Sequence, residues 1–216
     1  GVLDKEMYKQ AALYLQSVNL IRKEKGNWVF FHQTWFDYCY ARRFVTDGFS
    51  LSEIIFKSSQ GLFERSEMLQ VLAYLRVSNP EKYLAEVNTL LFSGNLRVHL
   101  RILLVEWFAS LPDPNQDERI IARRLLQNSQ DQGDFLNAAQ GNIGWFDKLN
   151  DGFIASLLQN GEEQKVSWVS LNYFSSLISQ RTDQILSLLK PYQGRSATWD
   201  NIILHCLRHL EKWNGK

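Results

Sequence analysis

The sequence predicts a mainly α-helical fold: one helix and a β-hairpin, followed by an α-solenoid-like (HEAT-like) array of short antiparallel helices. Three observations carry this. Apolar residues recur at helical spacing over most of the 216-residue chain. Helix-start and helix-stop signals such as Ser50 with Glu53, Asn79-Pro80 and Gly94 punctuate it at short intervals. One segment breaks the pattern: NLIRKEKGNWVFFH, with two short apolar runs around Lys25-Gly26-Asn27, reads as a hairpin with a glycine in its turn.

Taken in order, DKEMYKQAALYLQSV is a first helix with Asp4 as N-cap and Met7, Ala11, Tyr14 and Val18 on its apolar face. The hairpin follows, and a helix followed by a hairpin is the back half of a winged-helix domain. Thr34 with Asp37 makes a capping box, so the next helix is expected to start there and run to about Asp47. Its polar residues Asp37, Arg42 and Arg43 do not gather on one face, which suits a helix sandwiched between layers.

LSEIIFKSS opens after Ser50, and LFERSEMLQVLAYLRVS stops before Asn79-Pro80. PEKYLAEVNTLLFSG starts on that proline and ends at Gly94. The run NLRVHLRILLVEWFASLPDP is apolar round much of its circumference. It is too long for one strand and ends at Pro112 and Pro114, so it reads as a helix, with Val98, Ile102, Val105 and Ala109 on its stripe and Leu103, Leu104 and Phe108 widening it. Further helices are expected at about 116–128, 133–140, 143–159, 163–179, 182–190 and 197–213. Leu96-Arg97-Val98 with Leu111-Pro112-Asp113 resembles a degenerate HEAT unit, without a clean repeat period. The division drawn is residues 1–47, a winged-helix remnant, and residues 48–216, a helical domain.

Composition narrows the function classes. Forty-five per cent hydrophobic residues fill a core, and 24 basic against 23 acidic side chains leave no net field toward nucleic acid or anionic lipid. Cys39 and Cys206 stand alone, without the spacing of a zinc site or a disulfide scaffold, which fits a reducing compartment. No apolar run approaches the roughly 20 residues of a membrane span. The N-terminal GVLDKEMYKQ lacks a signal-peptide core, so a cytoplasmic location and no membrane partner are expected.

At FFHQTWFDYCYARRFV the chain resembles the NACHT-type branch of the STAND nucleotide-switch ATPases, a group that includes NOD-like receptors and bacterial regulators. The winged-helix domain of that family ends in an aromatic-x-His motif, a small polar pair, then an aromatic, an acid, an aromatic and a small residue. The matching positions here are Phe30, Phe31, His32, Gln33, Thr34, Phe36, Asp37, Tyr38 and Ala41. QVLAYLRVSNPEKYLAEVNTLL and LRVHLRILLVEWFASLPDP look like the helical region that follows in bacterial members, so the resemblance covers roughly the first 115 residues.

The resemblance implies that His32 reaches the β-phosphate of ADP held by a neighbouring NTPase domain. A strand end leading into a helix N-terminus suits an anion. This chain contains no GxxxxGK[ST] loop and no acidic strand end suited to magnesium. It is therefore expected to be the C-terminal piece of a larger parent: not itself an enzyme, holding no cofactor alone, with ADP or ATP and magnesium bound by the parent. The partners implied are the N-terminal NTPase domain of the same parent chain and an unidentified protein ligand or effector. The alternative is a freestanding helical-repeat interaction scaffold.

Other residues carry blander readings. Asp37 reads as a helix-start acid. His205 and His209 are four apart, a spacing that can share one metal, but no third ligand is evident. They are taken as a structural surface pair, with no metal expected. Arg97, Arg101, Arg123 and Arg124 could line a basic stripe for phosphates, yet ion pairing with Glu106, Asp117 and Glu118 is the default, which disfavours nucleic-acid binding. Trp145 and Phe146 are read as core, or else as a recognition patch on a concave surface.

Overall fold

The computed structural model describes residues 2–160 and 171–214. It is mainly helical, with one two-stranded antiparallel sheet. The chain divides into two compact units, Gly1–Leu96 and Arg97–Lys216.

The first unit begins with α1 (Val2–Ser17), which ends where Asn19 takes φ +58° and Leu20 N–H closes on the Leu15 carbonyl at 2.9 Å. Asp4 lies inside this helix rather than capping it. Met7, Tyr14 and Val18 are exposed, so the apolar face read from the sequence is not buried. β1 (Ile21–Glu24) and β2 (Asn27–Phe30) pair as expected, in the register Ile21↔Phe30 to Glu24↔Asn27. The loop is Lys25-Gly26, both at positive φ (+46° and +88°), the two-residue turn whose twist matches that of the strands.

α2 (Gln33–Thr46), α3 (Leu51–Lys57), α4 (Leu62–Ser78) and α5 (Pro80–Phe92) complete the first unit. Ser50 caps α3 by accepting from Glu53 N–H, and Asn79 caps α5 with Pro80 in its first turn. Gly94, at φ +76°, follows the end of α5. α2 packs on α4 and α3 packs on both α4 and α5. The core between them includes Phe44, Ile55, Met68, Leu72, Leu75, Tyr83 and Leu90. The division drawn after Asp47 falls within this unit, between two helices that share α4 as a packing partner.

In the second unit α6 (Val98–Ala109), α7 (Gln116–Leu126), α8 (Ser129–Ala138), α9 (Ile143–Leu149) and α10 (Phe153–Asn160) follow in turn. They lead to α11 (described over residues 171–177), α12 (Thr182–Leu189), a 3-10 turn at Lys190–Tyr192, and α13 (Ala197–Asn214). Residues 163–170 of the helix expected at 163–179 lie outside the described residues. The helix expected at 143–159 is two helices, broken at Asn150-Asp151-Gly152, where Gly152 takes φ +98°.

α6 buries Leu100, Leu104, Val105, Phe108 and Ala109, so Leu104, Val105, Phe108 and Ala109 of the expected stripe are in the core, while Val98 and Ile102 face out. The centre of the unit is an aromatic triangle: Phe108, Phe135 and Trp145, with centroids 5.2 to 6.5 Å apart. Trp145 and Phe146 are fully buried, which assigns them to the core and removes the recognition-patch alternative. Among the described residues, no helix is long and apolar enough to cross a membrane.

Candidate functional site

The hairpin delivers His32 to its position. Phe31 N–H extends the ladder to the Leu20 carbonyl at 2.9 Å, and the chain then turns directly into α2. His32 is the N-cap of that helix, in extended conformation (φ −123°, ψ +138°), and its side chain makes no capping hydrogen bond. Thr34, expected to be the cap, is instead inside the first turn. Asp37 is one turn further in, where its carboxylate accepts from Gln33 Nε2 at 2.9 Å. The expected capping box is not formed, because the N-cap position falls on His32 and leaves Thr34 within the first turn.

His32 is exposed, its ring edge-on to Phe31 with centroids 4.8 Å apart. The Arg22 guanidinium lies 5.6 Å over the Phe31 ring and also pairs with Glu24 at 2.7 Å. A cation, an aromatic ring and an imidazole are thus gathered beside a helix N-terminus, where partial positive charge favours an oxyanion. Arg22 was not singled out in the sequence as a site residue. The hairpin assignment itself, by placing it in a strand, was the signal for its role.

Beyond His32, α2 carries rings on two faces. Phe36, Tyr40 and Phe44 follow the i, i+4 spacing and continue Phe30 toward Phe49, each ring within 6.2 Å of the next. The inward side of this row is buried at Ala41 and Phe44, against α4. The Tyr40 hydroxyl donates to Glu67 Oε2 at 3.3 Å, and burial holds both groups above their ordinary pKa values. Trp35 and Tyr38 point outward and are each more than two-fifths exposed, so α2 is not sandwiched between layers. Among the described residues, every exposed large aromatic lies between Tyr8 and Phe49.

The other candidate residues are dispersed. Arg101 forks onto Asp131, with bonds from both Nε and Nη2, and Arg119 and Arg123 share Asp151. Asp131 and Asp151 were not among the acids expected to pair with the arginines, and Glu118 closes a capping box with Asn115 at the start of α7. His205 and His209 approach through Nε2 atoms 3.2 Å apart, while Cys206 is buried and its thiol is pushed up to about 11 by that burial. No protein-family model, curated protein or solved structure matches this chain.

Proposed function

We propose that this chain is the regulatory and protein-interaction region of a signal-transducing nucleotide-switch ATPase of the NACHT-type STAND class. In this reading a winged-helix remnant joins the nucleotide switch to a helical, HEAT-like sensor arm. The observation that carries it is the setting of His32: an exposed imidazole at a strand-to-helix junction, flanked by Phe31 and Arg22, on a surface rich in exposed aromatics. An imidazole so placed can donate to a phosphate oxygen of ADP held by the parent's NTPase domain, and it releases that oxygen when the domains part. The chain itself performs no catalysis in this scheme. ADP-bound packing favours the closed state, and binding of a protein ligand or effector favours the open one, each by its differential affinity for the two states.

The solenoid part of the reading draws on how the helices stack. α2 packs on α4 and α3 on α5; in the second unit α6 packs on α8 and α7 on α9. Alternate-helix stacking of this kind is what successive helix pairs produce in an α-solenoid. The cheapest test is the coding sequence upstream of Gly1, where a GxxxxGK[ST] loop is required; its absence overturns the proposal. With the parent in hand, His32→Ala should speed ADP release and raise basal activation. Unchanged ADP retention would rule out the phosphate contact.

A further inference from the structure

A second inference rests on α13 and is independent of the first. His205 and His209 lie one turn apart on one face of this helix, with Nε2 atoms 3.2 Å apart, centroids 4.8 Å apart and ring planes at 57°. The centroids are closer than a head-to-head donor–acceptor pair would place them, so the two rings meet at an angle. Zinc–imidazole bonds of about 2.0–2.1 Å separate two ligating nitrogens by roughly 3.3 Å at a tetrahedral angle and about 2.9 Å at a right angle. The observed separation falls between these values, so one ion can be held with little movement of either ring.

The sequence alone argued against a metal for want of a third ligand. The structure supplies a setting the sequence did not show. Both rings line a cleft of 400 Å³ whose other walls include Gln140, Asn172, Ser175 and Ser179. These walls are polar and the cleft is open to water, so water can fill the remaining positions of an ion held by the two imidazoles. Cys206 is not a ligand, because its side chain is buried and does not line the cleft.

We propose that His205 and His209 form an exchangeable site for a divalent first-row transition metal, taking copper more tightly than zinc in the usual order. Among the described residues no group of three or more His, Cys, Asp or Glu could hold a metal. The affinity is therefore that of a two-histidine site, micromolar rather than that of a closed structural centre.

The test is titration of the 216-residue chain with zinc chloride and, separately, with copper chloride, by calorimetry, on the unaltered protein and on His205→Gln and His209→Gln. One equivalent is expected, with affinity falling on the order of tenfold or more in either variant and copper ahead of zinc. A second measurement needs no variant: substoichiometric Cu²⁺ should broaden the imidazole proton signals of His205 and His209 and spare those of His32 and His99. No binding at millimolar metal, unchanged binding in both variants, or equal broadening of all four histidines would overturn the proposal.

Discussion

Glu86 offers the sharpest test of how the first unit is held together. α3 has only seven residues, too few to persist on local hydrogen bonding alone. Its first two amides, Leu51 N–H and Ser52 N–H, donate to the two carboxylate oxygens of Glu86 at 2.9 and 2.8 Å. That carboxylate belongs to α5 and is 5% exposed. Glu86→Gln keeps one acceptor but turns an amide NH₂ toward a backbone donor, leaving one buried N–H unpaired. A hydrogen bond to a charged group contributes about 1.5–3 kcal/mol, and a buried unpaired donor costs about 1–3 kcal/mol. Loss of the charge beside the helix N-terminus adds up to about 1 kcal/mol. A destabilisation of about 3 kcal/mol is therefore expected.

With a urea slope of about 2 kcal/mol/M, the midpoint of the first unit's transition should fall by about 1.5 M. Urea denaturation followed by circular dichroism, with Ser50→Ala as the comparison, reads this out. The Ser50 cap bond is long, 3.4 Å, and its loss should cost no more than about 1 kcal/mol. A Glu86→Gln protein within about 0.5 kcal/mol of wild type would refute the idea that α5 holds α3 in place.

Two further outcomes concern the second unit. A Cβ added at Gly144 would meet the Pro112 carbonyl oxygen at 2.6 Å and Pro114 Cδ at 2.9 Å, whereas one added at Gly133 meets nothing within 4 Å. Gly144→Ala should therefore lower stability by about 1–3 kcal/mol and Gly133→Ala should raise it by about 0.5–1 kcal/mol, both read by thermal melting. Arg181 forks onto Asp147 at 2.8 and 2.7 Å, and this hydrogen bonding holds the Asp147 carboxyl below the usual carboxylate range. A depressed folded-state pKa gives stability that is present above the ordinary pKa of about 3.9 and is lost as pH falls through the lower folded value. Asp147→Asn should accordingly be less stable than wild type at pH 7. Melting curves taken down to pH 2 should show that gap closing, and a gap that widens with acid would contradict the assignment.

What the sequence made legible was the local chemistry. The glycine-containing hairpin turn, the Ser50 cap, the proline that opens α5 and Gly94 after its end are decided within a few residues, and all stand where expected. Misreadings arose where the decision lies elsewhere in space. α6 is apolar nearly all round, so its periodicity did not separate Val98 and Ile102, which face out, from Leu104, Val105, Phe108 and Ala109, which are buried where the helix packs on α8. Thr34 lost its cap position to His32 because the strand ladder, continued by Phe31, fixes where α2 can begin. The break before α10 was written in Asn150-Asp151-Gly152, a turn signal that the long apolar pattern around it masked. At the candidate site the residue was legible and its surroundings were not. His32 stood out from its neighbours in the sequence, whereas Arg22 reaches it only through the ring of Phe31.

The distribution of exposed rings ties fold and proposed function together. Scattered exposed aliphatics such as Val77, Val98 and Ile120 need no explanation on any protein surface. Tyr8, Tyr14, Trp28, Phe31, Trp35, Phe36, Tyr38 and Phe49 form a different population, because they are large and aromatic and, among the described residues, confined to the N-terminal part of the first unit. Each ring leaves apolar area in contact with water that burial would remove at about 25 cal/mol per Å². Among the described residues of the second unit no large aromatic is exposed, and Phe108, Phe135 and Trp145 meet in its central triangle. Among the described residues, large exposed rings therefore gather in the stretch of chain that contains His32. Exposed rings gathered in one place are the composition of a surface suited to association.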